Sequence, residues 1–145
     1  MKKIIFVCFV ILFSVKVFAG ADAILGVWFN EEKDGKIEIY KADGKYYGKI
    51  IWLKTPLDAN GKEKTDIHNE DVSKRSNKVL GLMILRGFTY DADDNNYTDG
   101  NIYDPKNGKD YSCKMKLVDN NNLDVRGYIG ISLLGRTTKW TRTTK

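Results

Sequence analysis

The chain has 145 residues, of which 42% are apolar and 30% charged, and a formal charge of +5; that length holds one domain and is too short for two ordinary ones. Three of its 24 basic residues, Lys2, Lys3 and Lys16, sit in an N-terminal segment that reads as removable, and without them 21 basic residues face 19 acidic ones, a charge of +2. Near-balance, with the two signs interleaved rather than gathered in a stripe, removes the electrostatic basis for binding nucleic acid, and no such partner is expected.

In the N-terminal segment Lys2 and Lys3 precede the apolar run 4–13, and small residues follow at Ala19, Gly20 and Ala21. A basic start, a short apolar stretch and a small-residue cleavage point make a secretory signal peptide. Residues 1–21 are therefore expected to be cleaved, leaving 22–145 as a single domain. The apolar run is about half the roughly twenty residues that span a bilayer, so no stable membrane insertion is expected after cleavage. Cys8 lies inside that run instead of at its end, which argues against lipid attachment. The mature protein is thus expected in the periplasm or outside the cell, and not as a lipoprotein. Cys113 is then its only cysteine, and a lone thiol in an oxidising compartment is best kept in the core.

Beyond the signal, apolar residues recur with period two, the pattern of half-buried strands. Residues 24–30 form the first strand candidate. In 36–41, Ile37 and Ile39 face one way and Lys36, Glu38 and Tyr40 the other. Asp43-Gly44 accepts the positive φ angles of a tight hairpin turn. In the return strand 45–53, Tyr46, Gly48, Ile50 and Trp52 share a face opposite Lys49, so the Trp52 face is expected to point inward. Residues 54–78, from Lys54 to Lys78, are polar and rich in turn formers, a long loop of the kind that is usually functional, with one helical turn expected at 71–75. Strands resume at 79–90 and 97–103, separated by a turn at 91–96. After Asp104-Pro105 and Asn107-Gly108 come 111–117, with Tyr111, Cys113, Met115 and Leu117 on one face, and 123–129, with Leu123, Val125, Gly127 and Ile129 together. The last strand is 136–142. About eight short strands with tight connections predict an all-β fold, a small antiparallel up-and-down β-barrel that removes its edges by closing on itself.

Three local patterns suggest chemistry and are better explained by turns. Gly130-Ile-Ser-Leu-Leu-Gly135-Arg136-Thr137 approaches a phosphate-binding loop, but it lacks the lysine and ends too near the C-terminus for the helix that loop must open. Asp91-Ala-Asp93-Asp94-Asn95 matches the first ligand positions of a calcium loop, whose glycine and terminal glutamate positions hold Asn96 and Ile102. Asp58, Asn60, Asp66, His68, Asn69 and Asp71 could offer oxygens to a metal but have no ligand spacing. His68 is the only histidine and has no sequence-local nucleophile partner. No catalytic residue, no metal site and no cofactor is expected. The aromatic and apolar inward faces point instead to an interior pocket lined by Trp28, Tyr46, Trp52, Tyr111 and Met115. Gly48 and Gly127 remove side-chain volume from those faces, in a barrel just wide enough to be filled or to hold one small ligand.

Gly26-Val-Trp28 resembles the Gly-x-Trp signature of lipocalins and related calycin barrels. That resemblance implies an arginine from the last strand stacked over Trp28, with Arg142 as first candidate, Arg136 as second, and Trp140 beside them in the latch. Independently of that resemblance, Gly127, Gly130 and Gly135 read as the bend between the last two strands, with the apolar run 129–134 expected to plug one end of the barrel. A longer series covers nearly the whole mature chain: Gly26-x-Trp28, the segment 43–50, Thr65-Asp66, Leu80-Gly81-Leu82, Gly100-x-Ile102-Tyr103-Asp104-Pro105, Gly108-Lys109-x-Tyr111 and the segment 126–137. It is similar to a family of exported bacterial proteins known as domain of unknown function 2147, and implies a lipocalin-like barrel without supplying an activity. The expected function is non-catalytic binding of a small apolar or amphipathic molecule in the barrel. The alternative is an interaction or structural module of the cell envelope, with a filled barrel and the loop 54–78 as contact surface.

Overall fold

A computed structural model describes residues 20–145; residues 1–19, which hold most of the expected signal peptide and Cys8, lie outside the described residues. Eight strands follow a short 3-10 helix (Ala21–Ile24): β1 (Gly26–Phe29), β2 (Gly35–Ala42), β3 (Lys45–Leu53), β4 (Met83–Asp91), β5 (Asn96–Asp104), β6 (Lys109–Asp119), β7 (Asn122–Tyr128) and β8 (Gly135–Thr143). Each pairs antiparallel with the next, and β8 returns to β1, so the sheet is a closed barrel. The β2–β3 turn has φ of 50° at Asp43 and 75° at Gly44, the two positive values that let a two-residue hairpin follow the strand twist. The strand expected from residue 79 starts at Met83, because residues 79–82 turn back on β3: Ile50 N donates to Leu82 O and Gly81 N to Ile50 O, at 3.0 and 2.7 Å. A 3-10 turn (Val72–Lys74) occupies the expected helical position, and the Asp71 side chain caps it by accepting from Ser73 N.

In an up-and-down barrel the odd strands all run toward one end and the even strands return. The 3-10 helix Ala21–Ile24 and the tight turns β2–β3, β4–β5 and β6–β7 gather at one end, which is packed solid. Trp28, Tyr46, Leu85, Phe88, Tyr97, Met115 and Leu123 are all buried there. Their polar atoms reach the helix: Trp28 Nε1 donates to Ile24 O at 2.9 Å, Tyr46 Oη to Asp22 Oδ1 at 2.7 Å and Tyr97 Oη to Ala21 O at 2.5 Å. The Tyr46 and Lys41 hydrogen bonds hold the Asp22 carboxyl below the usual carboxylate range. Gly48, read as opening space, does the reverse. A Cβ there would lie 2.7 Å from Leu85 Cδ1, so the missing side chain is the room that Leu85 fills. Gly100 does the same for the Phe88 ring, 2.5 Å from where its Cβ would stand. Cys113 is a buried free thiol, and burial pushes its pKa up to about 12. Charged side chains such as Lys49, Lys116 and Asp124 alternate with the core on the outer face, the reverse of a strand that faces lipid.

The seam between first and last strand is short, with Val27↔Thr143, Trp28↔Arg142 and Phe29↔Thr141 as its register. Arg142 reinforces it. Its guanidinium carbon lies 4.2 Å from the Trp28 ring centroid, and its nitrogens donate to Leu25 O at 2.8 Å, Ala23 O at 2.6 Å and Asn120 O at 2.5 Å. Gly26 makes room for it, since a Cβ there would stand 2.8 Å from Arg142 Nη1 and its φ is +130°. This is the physical content of Gly-x-Trp: a glycine to admit the cation and an indole to hold it. Arg136 lies near the opposite end of β8, and Trp140, two residues before Arg142, pairs with Leu123 and stays outside the stack. The expected plug is also absent from the interior. Residues 129–134 project outward, with Leu133 83% exposed, because the 3-10 turn Ser132–Leu134 carries the β7–β8 connection away from the barrel axis.

Replacing Arg142 by alanine removes a cation–π contact and a charged donor shared by three carbonyls. The expected loss is about 2–3 kcal/mol, seen in thermal circular dichroism as a melting temperature lower by roughly 5–10 °C. Lysine in its place is expected to restore little, having one ammonium for three carbonyls.

Candidate ligand-binding site

The open end carries the β1–β2, β5–β6 and β7–β8 connections and the long loop between β3 and β4. A cavity of about 920 Å³ enters the barrel there, within the roughly 300–1,000 Å³ typical of small-molecule sites. Its walls are aliphatic: Ile37, Ile50, Leu53, Ile84, Ile102 and Val125 line it, with Tyr111, Thr138 and Trp140. Gly127 keeps one wall clear. A Cβ at that position would make ordinary contact with Ile102 Cγ2 at 3.4 Å and Tyr111 Cβ at 3.6 Å, and the glycine leaves that part of the wall without a side chain. Trp140 presents its ring to the cavity and satisfies its Nε1 on Thr138 Oγ1 at 3.1 Å.

Charge gathers at the rim, and part of it is paired. Lys106 bonds Glu32 and, at 2.9 Å, Asp34; the Glu32 bond holds its ammonium above the ordinary lysine range. Arg136 Nη2 meets Glu31 Oε2 at 3.3 Å. His68, also at the rim, is exposed.

The loop 54–82 roofs part of the mouth, and one buried carboxylate fixes it. Asp66 has no solvent exposure. Tyr103 Oη donates to its Oδ1 at 2.6 Å, and Asn69 Nδ2 to its Oδ2 at 2.7 Å. Burial and the Asp66 contact push the Tyr103 hydroxyl up to about 12, so it stays a donor. A second anchor is steric. The β5–β6 turn comes so close that a Cβ on Gly108 would fall 1.8 Å from His68 O. A further groove of about 480 Å³ runs outside the barrel between this loop and β4–β6, with Asp66, Lys74, Arg86 and Asp110 among its walls; it is polar, and Arg86 and Asp110 pair across it.

Of the five residues expected to line a pocket, Tyr111 does so. Trp28, Tyr46 and Met115 point inward but belong to the solid half. Trp52 points outward and is 38% exposed, because β3 gains a residue at a bulge: Ile37 pairs with Ile50, whereas Lys36 pairs with Trp52. The extra Ile51 reverses the inside–outside parity after Ile50. Trp52 then packs edge-on against Phe29, ring centroids 6.1 Å apart, under the Lys36 ammonium at 5.6 Å. Of the latch residues, Trp28 and Arg142 are stacked, Trp140 lines the cavity and Arg136 stands at its rim. Sequence reasoning missed Ile84, Ile102 and the Asp66–Tyr103 anchor. Strand direction holds the signal: inward residues late in odd strands or early in even ones lie at the open end, which admits Ile84, Ile102 and Tyr111 and excludes Tyr46 and Met115.

The sequence pattern of a bacterial family described as an uncharacterized protein conserved in bacteria, domain of unknown function 2147, matches residues 26–142. The chain belongs to this family. The matched segment begins at Gly26 and ends at Arg142, the two residues in close approach at the seam. Protein HP1028 from the human pathogen Helicobacter pylori, described as belonging to the lipocalin family, is similar in structure. The TM-score is 0.70 over 83% of each chain, at 21% identity. At that identity the likeness speaks for the fold, a lipocalin-like closed barrel. No curated protein matches the sequence.

Tyr103→Phe leaves a buried carboxylate oxygen without its donor, a local cost of about 1–3 kcal/mol. Faster hydrogen exchange and proteolysis within 54–82, with the strands still protected, is the expected result. Gly108→Ala should free the loop further. Unchanged exchange in both variants would refute the anchoring.

Proposed function

We propose that this is an exported, non-catalytic binding protein that takes the apolar part of a small amphipathic molecule into the open half of its barrel. One observation carries the reading. The barrel is filled at one end and hollow at the other, and the hollow end has aliphatic walls below a charged rim. An apolar chain or ring loses water against the walls, at about 25 cal/mol per Å², while a polar head meets the rim. Catalysis has no support in the groups at hand. Asp66 holds the loop, Asp58 accepts from the backbone N–H groups of Asn60 and Lys62, and Asp104 caps the β5–β6 turn. Among the described residues no three metal-binding side chains cluster. The solid lower half favours the second reading, an envelope module whose barrel serves only as scaffold.

Native mass spectrometry followed by organic extraction separates the two, since a carrier is expected to release a small molecule. In titration with a fluorescent apolar probe, Gly127→Leu should fill the cavity and weaken binding at least about tenfold with little change in melting temperature. Trp52→Ala, on the outer face, should leave binding intact. An empty protein whose affinity ignores Gly127→Leu supports the scaffold reading instead.

Periplasmic or secreted localisation rests on the N-terminal pattern, and two contacts at the start of the domain bear on where the leader would be cut. Ala23 N donates to Gly20 O at 2.9 Å, and Ala21 O receives the Tyr97 hydroxyl. Removal of residues 1–21 would forfeit both, which favours cleavage after Ala19. N-terminal sequencing of the exported protein is expected to begin at Gly20; a start at Asp22 would contradict this refinement.

A further inference from the structure

We infer that the β7–β8 connection is a membrane-docking tip that seats the open end of the barrel on a bilayer with anionic headgroups. Ile129, Ile131, Leu133 and Leu134 fall within six residues, and each is between 59% and 83% exposed. Only Gly130 and Ser132 interrupt them. A monomer does not gain from holding four large aliphatic side chains in water on one convex turn, and such a patch marks an interaction site.

The charge around it selects the occupant. From Val125 to the last residue, Lys145, the sequence has no Asp or Glu. Two cations lie directly beneath the tip: Arg126 Nε donates to Ser132 O at 2.7 Å, and Lys114 Nζ lies 3.4 Å from Ser132 Oγ. Among the described residues neither has a carboxylate within ion-pair distance. With aliphatic side chains at the apex and basic residues one layer back, an inserted tip would set the first among acyl chains and the second at the anionic phosphates. The shape agrees, because a short 3-10 turn is a wedge, whereas a protein-binding patch is broad and rich in aromatic residues. The tip also leaves from the open end, where Gly127, Arg136 and Thr138 border the cavity. Docking therefore turns the mouth toward the lipid. The docking does not depend on the carrier reading; a direct route for an amphipathic molecule from bilayer to barrel does.

Co-sedimentation of the mature protein with phosphatidylcholine vesicles, with and without phosphatidylglycerol, tests it. The wild type is expected to partition at least about tenfold more strongly onto the anionic vesicles, with salt reducing the difference. Leu133→Asp combined with Leu134→Asp should lower partitioning roughly a hundredfold while melting temperature and probe uptake stay unchanged, because neither residue lines the cavity. Gly127→Leu should bind vesicles normally, which keeps failure of docking distinct from failure of ligand binding. The inference is overturned if the wild type ignores both vesicles, or if the double variant binds as the wild type does. A wild-type dimer that ignores vesicles and that the double variant dissociates also overturns it, and assigns the tip to a second copy of the chain.

Discussion

Everything in this barrel hangs from a guanidinium laid on an indole. The β1–β8 seam is the shortest in the sheet, and without it the sheet would have two open edges ready to pair with other chains. Arg142 joins what the seam alone holds weakly: the Trp28 ring, two carbonyls around the N-terminal helix and the carbonyl of Asn120 in the β6–β7 turn. One side chain thus ties the start, the middle and the end of the domain together. The requirement propagates to Gly26, where any Cβ would meet the cation.

Closing one end firmly permits the other to stay open. The aromatic core below, locked to the N-terminal helix by the hydroxyls of Tyr46 and Tyr97, supplies the rigid half. Above it the walls become aliphatic and the connections lengthen. The mouth therefore gathers the long loop held by Asp66 and Gly108, the charged rim and the apolar tip. Binding surfaces on loops carried by a rigid scaffold are the common arrangement, and here the division falls along the barrel axis.

The strands were legible because period two survives wherever one face is buried, and closure was legible because nearly all turns are tight. Arg142 over Trp28 came with the lipocalin resemblance and has a geometric cause in Gly26. What stayed hidden depended on single residues. A bulge at Ile51 leaves no trace in composition, yet it moved Trp52 from inside to outside. Alternation says which way Tyr46 and Met115 face and is silent on depth, so both were placed in a pocket they lie beneath. Asp66 reads as one more polar loop residue, although its partner Tyr103 is distant in sequence and the pair is buried. Residues 129–134 were expected inside on hydrophobicity alone, an inference that holds only when the backbone turns inward to meet them.

The free thiol of Cys113 gives the protein a clock. It sits in the barrel wall opposite Gly127 with no solvent contact, and burial holds its pKa up to about 12. A thiol reagent therefore meets no reactive thiolate until the strands around it part. Alkylation should then follow global opening rather than breathing of the loops. If reagent outpaces reclosing, labelling reads the unfolding rate; if it lags, labelling reads the free energy of opening. Occupancy of the cavity would register as a slower clock, although Cys113 is not among the residues that line it.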